Sequence, residues 1–269
     1  MEIKVVKFHA QGNSYIVIED LERNLENLYS RIAIILSDKS FGIGSDGILV
    51  FNKSNIAKAR MRVFNPDGSE AEISGNGLRI FATYLNSKGI LKEEDYVEVG
   101  GNKGGKIAKV KILKDGSVQI NLGKGVFLGE IEINVAKRVI KGCKISLGNP
   151  HFVIMCKSKE EAKSMLNEIG SLIENHEAFP NRTNVEFVYV EEENKIISYI
   201  WERGAGATLS SGTGASASAF ALYKLNKVGN NVVVEMPGGK INVKIDEEDN
   251  IEIFGKAEKI LEGIAYINP

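Results

Sequence analysis

One thirteen-residue pattern occurs twice in this chain of 269 residues, and it limits the fold more than any other feature. The first copy is Asn65-Pro66-Asp67-Gly68-Ser69-Glu70-Ala71-Glu72-Ile73-Ser74-Gly75-Asn76-Gly77 and the second is Glu202-Arg203-Gly204-Ala205-Gly206-Ala207-Thr208-Leu209-Ser210-Ser211-Gly212-Thr213-Gly214. In each, a polar residue follows an aromatic one (Phe64, Trp201). Nine positions later stands Ser-Gly-X-Gly, leading into small and apolar residues at helical spacing. Ser74 and Ser211 are 137 positions apart, as are Asn65 and Glu202, Glu98 and Glu235, and Gly101 and Gly238. Gly12-Asn13 falls on Gly148-Asn149 at an offset of 136. Matches in nearly one register imply two copies of one module. The expected fold is therefore α+β, with two pseudo-symmetric domains, each a mixed, strand-rich sheet wrapped around a central helix. The first repeat is placed at 1–120 and the second at 121–255, with 256–269 returning to complete the first.

Ser-Gly-X-Gly before a helix has a definite physical content. Ser74 and Ser211 sit where an N-cap would, and the glycines let a ligand approach backbone N–H groups at the positive end of the helix dipole. Each module thus supplies one anion-binding helix start, and the two together could hold one carboxylate. The bland alternative is a pair of capped helices with glycine turns; recurrence in register weighs against it.

The two copies fit a chain of this size, which is long enough for two cores. A hydrophobic share of 43% and a charged share of 26% describe an ordinary globular balance. A formal net charge of −1 gives no electrostatic case for a nucleic-acid partner. The N-terminus, Met1-Glu2-Ile3-Lys4-Val5, reads as a strand without an apolar leader core, and no apolar run approaches membrane-spanning length. The expected location is cytoplasmic, with no membrane partner. Cys143 and Cys156 lie in apolar surroundings without metal-ligand spacing, so they read as buried structural thiols and no metal site is expected.

Along the chain, two strand-like runs flank His9-Ala10-Gln11-Gly12-Asn13, and Leu25 to Leu36 has helical spacing. Gly42-Ile43-Gly44-Ser45-Asp46-Gly47 matches G-x-G-x-x-G in letters only. It follows a helix-like segment and runs into the strand-like Ile48-Leu49-Val50-Phe51, the reverse of a dinucleotide site. Met61 to Phe64 reads as a strand, Gly77 to Leu85 as a helix, and 96–122 as β-rich. In the second repeat, Lys159 to Glu174 and Gly212 to Leu225 read as helices, Asn181-Arg182-Thr183-Asn184 as a polar turn, and the remainder mainly as strands.

Taken in order, Gly12-Asn13, Phe41-Gly42-Ile43-Gly44, Asn65 through Arg79, Gly148-Asn149-Pro150-His151, Asn184-Val185-Glu186-Phe187 and Glu202 through Gly214 make the chain resemble diaminopimelate epimerase, of the pyridoxal-phosphate-independent amino-acid racemases. The resemblance spans nearly the whole length. It implies two pseudo-symmetric α+β domains with a site in the cleft between them. The implied reaction is a two-base inversion of an α-carbon, LL- to meso-diaminopimelate, without cofactor, in lysine and peptidoglycan precursor synthesis. In that family two cysteines stand where this chain has Ser74 and Ser211. A serine hydroxyl is far too weak an acid to be rescued by a helix dipole alone, whereas a thiol can be. The chain is then either a Cys→Ser form of an epimerase, largely inactive, or a relative whose chemistry has changed. The latter would be a diverged isomerase or dehydratase, or a non-catalytic amino-acid-binding protein. Ala207 departs from the acidic or amide residue expected there.

The resemblance further implies that Asn13, Asn65, Asn149 and Asn184 bind the distal, non-reacting end of the substrate. Arg203 suits that end's carboxylate, and Glu202 an ammonium group or the proton of residue 211. Gly75, Asn76, Gly212 and Thr213 would offer N–H groups to the reacting α-carboxylate, and His151 would orient or relay protons beside Ser74. The partner is a small amino acid, and a homodimer is left open by the sequence.

Overall fold

The structure is a computed structural model and describes residues 1–71, 74–100 and 105–268. Glu72 and Ile73 of the first pattern, and Gly101 of the match to Gly238, lie outside the described residues. The chain divides into two compact units, 1–120 with 255–269, and 121–254. No helix among the described residues is long and apolar enough to cross a membrane.

The first unit opens with β1 (Glu2–Ala10) and β2 (Asn13–Glu19), followed by α1 (Tyr29–Ser37), β3 (Ile48–Asn52), β4 (Ala59–Phe64) and the short β5 (Glu70–Ala71). Then come α2 (Gly75–Ser87), β6 (Glu94–Val99), β7 (Lys106–Ile112) and β8 (Val118–Lys124), of which residues to Ile120 belong here. The second unit contains β9 (Val126–Val135), β10 (Arg138–Ser146), β11 (Pro150–Met155), α3 (Lys159–Glu174), β12 (Asn184–Glu192), β13 (Lys195–Glu202) and β14 (Gly206–Thr208). It ends with α4 (Gly212–Lys224), β15 (Asn231–Met236), β16 (Gly239–Ile245) and β17 (Asn250–Gly255). The last strand, β18 (Glu258–Tyr266), returns to the first unit and pairs antiparallel with β1.

Strand pairing repeats the same pattern in both units. β1/β2 and β10/β11 are antiparallel, β2/β3 and β11/β12 parallel, β3/β4 and β12/β13 antiparallel, and β4/β6 and β13/β15 parallel. Ile16 faces Ile48 in one parallel pair and Phe152 faces Val185 in the other, which keeps the offset seen in the sequence. β9 pairs with β10 as β18 pairs with β1. Thus α1 matches α3 and α2 matches α4.

Each unit has one helix buried nearly all round, as its composition demands. In α2, Leu78, Ile80, Phe81, Ala82 and Leu85 are closed off from solvent, and the helix touches β1 and β2 as well as β4 and β7. Strands from well-separated places in the sheet meet one helix, so the sheet curves around it. In α4 the run Ala215-Ser216-Ala217-Ser218-Ala219-Phe220 is buried, and the two serines satisfy themselves by donating to the carbonyls of Gly212 and Gly214. Small residues there let strands approach closely. A separate core lies under α1, built on Ile3, Ile16, Ile18, Tyr29, Ile32 and Leu36, and another under α3, built on Phe152, Ile154, Ile169, Ile173, Phe179 and Phe187.

The polar turn expected at 181–184 ends earlier than expected. Asn184 is the first residue of β12, and Thr183 and Asn184 are buried. The cause is pairing: Asn184 lies opposite His151 in the parallel β11/β12 ladder, and its side-chain amide donates to the Pro150 carbonyl at 2.9 Å.

Candidate active site

Ser74 and Ser211 are N-caps of α2 and α4 in nearly the same conformation, φ −132°, ψ 120° and φ −140°, ψ 125°. Ser74 Oγ accepts from the Gly77 N–H at 3.0 Å, and Ser211 Oγ from the Gly214 N–H at 3.2 Å. The last glycine of each Ser-Gly-X-Gly has a steric reason. A Cβ on Gly77 would lie 3.1 Å from Leu49 Cδ2 and 3.2 Å from Ser74 Oγ, and one on Gly214 would lie 2.8 Å from Ile200 Cδ1 and 3.2 Å from Glu186 Oε1. The first turns starting at Gly75 and Gly212 present N–H groups without intrahelical acceptors, at the positive end of the dipole.

The two hydroxyls differ in what else they touch. Ser211 donates to Glu202 Oε2 at 3.0 Å and lies 3.5 Å from Thr213 Oγ1. Ser74 accepts a second hydrogen bond, from the Tyr15 hydroxyl at 3.2 Å. Tyr15 was not among the residues expected from the sequence.

Asn13 and Asn149, matched by the repeat, use their side-chain oxygens in the same way. Asn13 Oδ1 accepts from Asn76 Nδ2 at 3.1 Å, and Asn149 Oδ1 from His151 Nε2 at 3.0 Å. Asn76 is set in turn by Arg79, whose Nη2 donates to Asn76 Oδ1. Arg79 is wholly buried, its Nε and Nη1 have no hydrogen-bond partner, and burial pulls its pKa down to about 10. It therefore remains a cation at neutral pH in the first turns of α2. Asn65 hydrogen-bonds Ser69 Oγ at 3.0 Å within its own turn.

His151 is fully buried, and both ring nitrogens are engaged: Nδ1 with Glu186 Oε1 at 2.7 Å, Nε2 with Asn149. With both positions taken, the ring is suited to orienting Asn149 more than to carrying protons. Burial raises the Glu186 carboxyl above its ordinary range, His151 opposes this, and the Glu202 charge adds to it. Glu186 sits beside Gly214 in the first turn of α4 and was missed by the sequence reading.

Arg203 is exposed and held through both its backbone and its guanidinium. Its N–H donates to Asn184 Oδ1 at 2.9 Å, and its Nη1 to the Asn181 carbonyl at 3.1 Å. The following turn is pinned by Glu174, whose carboxylate takes the Gly204 N–H at 2.8 Å, the Trp201 indole N–H at 2.7 Å and Arg182 Nη1 at 3.1 Å. A sequence signal did exist for Glu174. An acid at the last position of a helix opposes the dipole and needs another reason to be there.

Neither cysteine is reactive in this setting. Both are buried and unpaired, and burial pushes Cys143 up to about 11 and Cys156 up to about 12. No group of three or more potential ligands that could hold a metal ion occurs among the described residues.

Comparison with known proteins adds three findings. A family model described as diaminopimelate epimerase matches residues 5–128 and 143–260. Proteins named diaminopimelate epimerase are similar over full length: that of Alkaliphilus metalliredigens is 36% identical over 100% of this chain and 99% of its own, and that of Caldanaerobacter subterraneus is 37% identical over 97% and 98%. Among solved structures, a PhzF-family phenazine biosynthesis protein from Bacillus anthracis shares the fold at TM-score 0.78 and 18% identity, over 99% of this chain and 100% of that one. A hydroxyproline epimerase from Agrobacterium vitis does so at TM-score 0.69 and 13% identity, over 98% and 91%.

Proposed function

The chain belongs to the diaminopimelate epimerase family, and on that premise we propose that it carries a site for inverting one α-carbon of diaminopimelate, between the LL and meso forms, without cofactor. This is the step that supplies lysine and peptidoglycan precursors, and we assign it to the cytoplasm. The observation that carries the reading is the pair of matched serine caps, Ser74 and Ser211, at the two positions that the resemblance in sequence assigns to the family's acid and base. In the reaction one residue takes the α-proton from one face and the other returns a proton to the opposite face. The charge that develops between these events passes into the α-carboxylate. The N–H groups of Gly75, Asn76, Gly212 and Thr213 would receive it, reinforced by the buried Arg79 cation behind Asn76.

Arg203 would take the distal carboxylate by a bidentate fork, with Asn184 placing its backbone. Asn13, Asn65 and Asn149 would supply amide contacts. His151 would hold Asn149 in orientation, and Glu202 would receive the Ser211 proton. No nucleic-acid or membrane partner enters this reading.

The serines make the enzyme slow. Loss of one matched acid or base costs about 10² to 10⁴ in rate, and both positions are changed. The test is incubation with diaminopimelate in deuterated water. Tight binding with slow α-deuteration is expected. Absence of diaminopimelate binding would instead favour a diverged isomerase or dehydratase. Binding with no exchange, even after both serines are changed to cysteine, would favour a binding protein.

A further inference from the structure

The hydrogen-bond polarity of the two serines is opposite, and this has a chemical consequence. Ser211 gives its proton to the Glu202 carboxylate and takes a hydrogen bond from Gly214 at 3.2 Å. Its second lone pair meets only the Thr213 hydroxyl, at 3.5 Å, the longest contact of the group, and is the one that an incoming proton would take. Ser74 takes two hydrogen bonds, from Gly77 and Tyr15, so its own hydrogen is the part it can give. The first is arranged as a base and the second as an acid.

The repeat supports the assignment of Tyr15 to this role. Gly12-Asn13-Ser14-Tyr15 falls on Gly148-Asn149-Pro150-His151, so Tyr15 occupies the position of His151. In the second unit that position is an imidazole locked by the Glu186 carboxyl. In the first unit Leu49 stands where Glu186 would be, and the phenol turns to the serine instead. Tyr15 is itself buried apart from 7% of its surface, so the contact is enclosed.

We propose that Tyr15 is the proton source behind Ser74, and that the two serines act as relays, Ser211 to Glu202 and Ser74 from Tyr15. This rests on the epimerase reading given above. The Cα–H bond breaks and its proton passes to Ser211 Oγ, while the Ser211 proton moves to Glu202 Oε2. The electron pair stays on the α-carbon and its carboxylate. The Ser74 O–H bond then breaks, its proton forms the new Cα–H bond on the other face, and the Tyr15 proton replaces it on Ser74. Glu202 has gained one proton and Tyr15 has lost one; exchange with water restores both. A phenol ordinarily ionises at about 10 and a carboxylic acid at about 4, so neither relay demands a free serine alkoxide. Tyr15 does not touch the substrate and acts through Ser74.

The test uses Ser211→Cys, which supplies a competent base on one face and leaves Ser74 on the other. Two products are followed in deuterated water: deuterated diaminopimelate of unchanged configuration, which needs only residue 211, and the inverted epimer, which needs Ser74. Adding Tyr15→Phe should lower inversion per exchange event by about 10²-fold. Adding Ser74→Cys to that pair should restore the ratio, since a thiol is its own acid. Fluorotyrosine at position 15 keeps the ring and hydroxyl but is more acidic, and it should move the alkaline limb of inversion to lower pH. This readout holds even if Tyr15→Phe folds poorly. An unchanged inversion ratio in Tyr15→Phe, or an unmoved limb with fluorotyrosine, would overturn the relay while leaving the epimerase reading standing. No exchange at all in Ser211→Cys or in the double cysteine form would overturn both.

Discussion

At the scale of residues, chemistry turns on the atoms next to the two caps. Changing Ser74 and Ser211 together to cysteine should raise the epimerisation rate by orders of magnitude, and either change alone far less, because inversion needs a partner on each face. A coupled assay for meso-diaminopimelate measures it, and additive gains would contradict the two-face account. Glu186 gives a second prediction, through pH. Its folded carboxyl is raised by burial, so its contribution to stability is fully present below the ordinary carboxylate range and is lost as pH rises through the folded value. The stability of the native chain relative to Glu186→Gln should therefore be highest near pH 4 and fall toward neutrality, read as the difference in Tm. A difference that grows with pH would mean an ionised pair with a charged His151. The caps and Glu202 were legible because they lie in one short pattern. Tyr15 and Glu186 were not, since their partners are 59 and 35 residues away. No local spacing encodes such a pairing.

At the scale of elements, the strand-turn-helix junction is the unit that recurs, and its close packing can be tested. A Cβ at position 214 would meet Ile200 at 2.8 Å and Glu186 at 3.2 Å. Gly214→Ala should cost about 1–3 kcal/mol by overpacking and should disturb the Ser211 cap at the same time. Gly123→Ala is a useful contrast: a Cβ there meets nothing within 4 Å, and only its φ of +87° opposes the change. Urea unfolding separates the two, and a loss at Gly214→Ala no larger than at Gly123→Ala would show that Ile200 and Glu186 give way to the added methyl. The helices of the second unit were read from sequence to within a residue, Lys159–Glu174 above all, because capping and apolar spacing act within a few turns, whereas α1 starts four residues later than expected and α2 extends two residues further at each end. Asn184 was misread as part of a turn because polarity is a poor guide to burial where a neighbouring strand supplies the hydrogen-bond partner.

At the scale of the whole chain, the duplication was visible as letters before it was visible as strands, and the returning tail was only weakly so. β18 is amphipathic at best, with Ile260, Ile264 and Tyr266 exposed, and its place is set by pairing along β1 from Glu2↔Tyr266 to His9↔Glu258. Truncation after Gly255 should remove this pairing and the burial of Ala265 and Ile267. It should also leave β1 as an open edge. A loss of several kcal/mol out of a typical total of about 5–15 should appear as a lower Tm with aggregation, and an unchanged Tm would show that β18 is dispensable. The same strand has a consequence in time. The second unit, 121–254, is continuous in the chain, whereas the first needs 255–269. During synthesis the half that emerges first must wait for residues 255–269 to leave the ribosome. The later half can close as soon as it is out. Nascent chains should thus protect β10 to β16 from proteolysis earlier than β1 and β2, so the half made first is the half finished last.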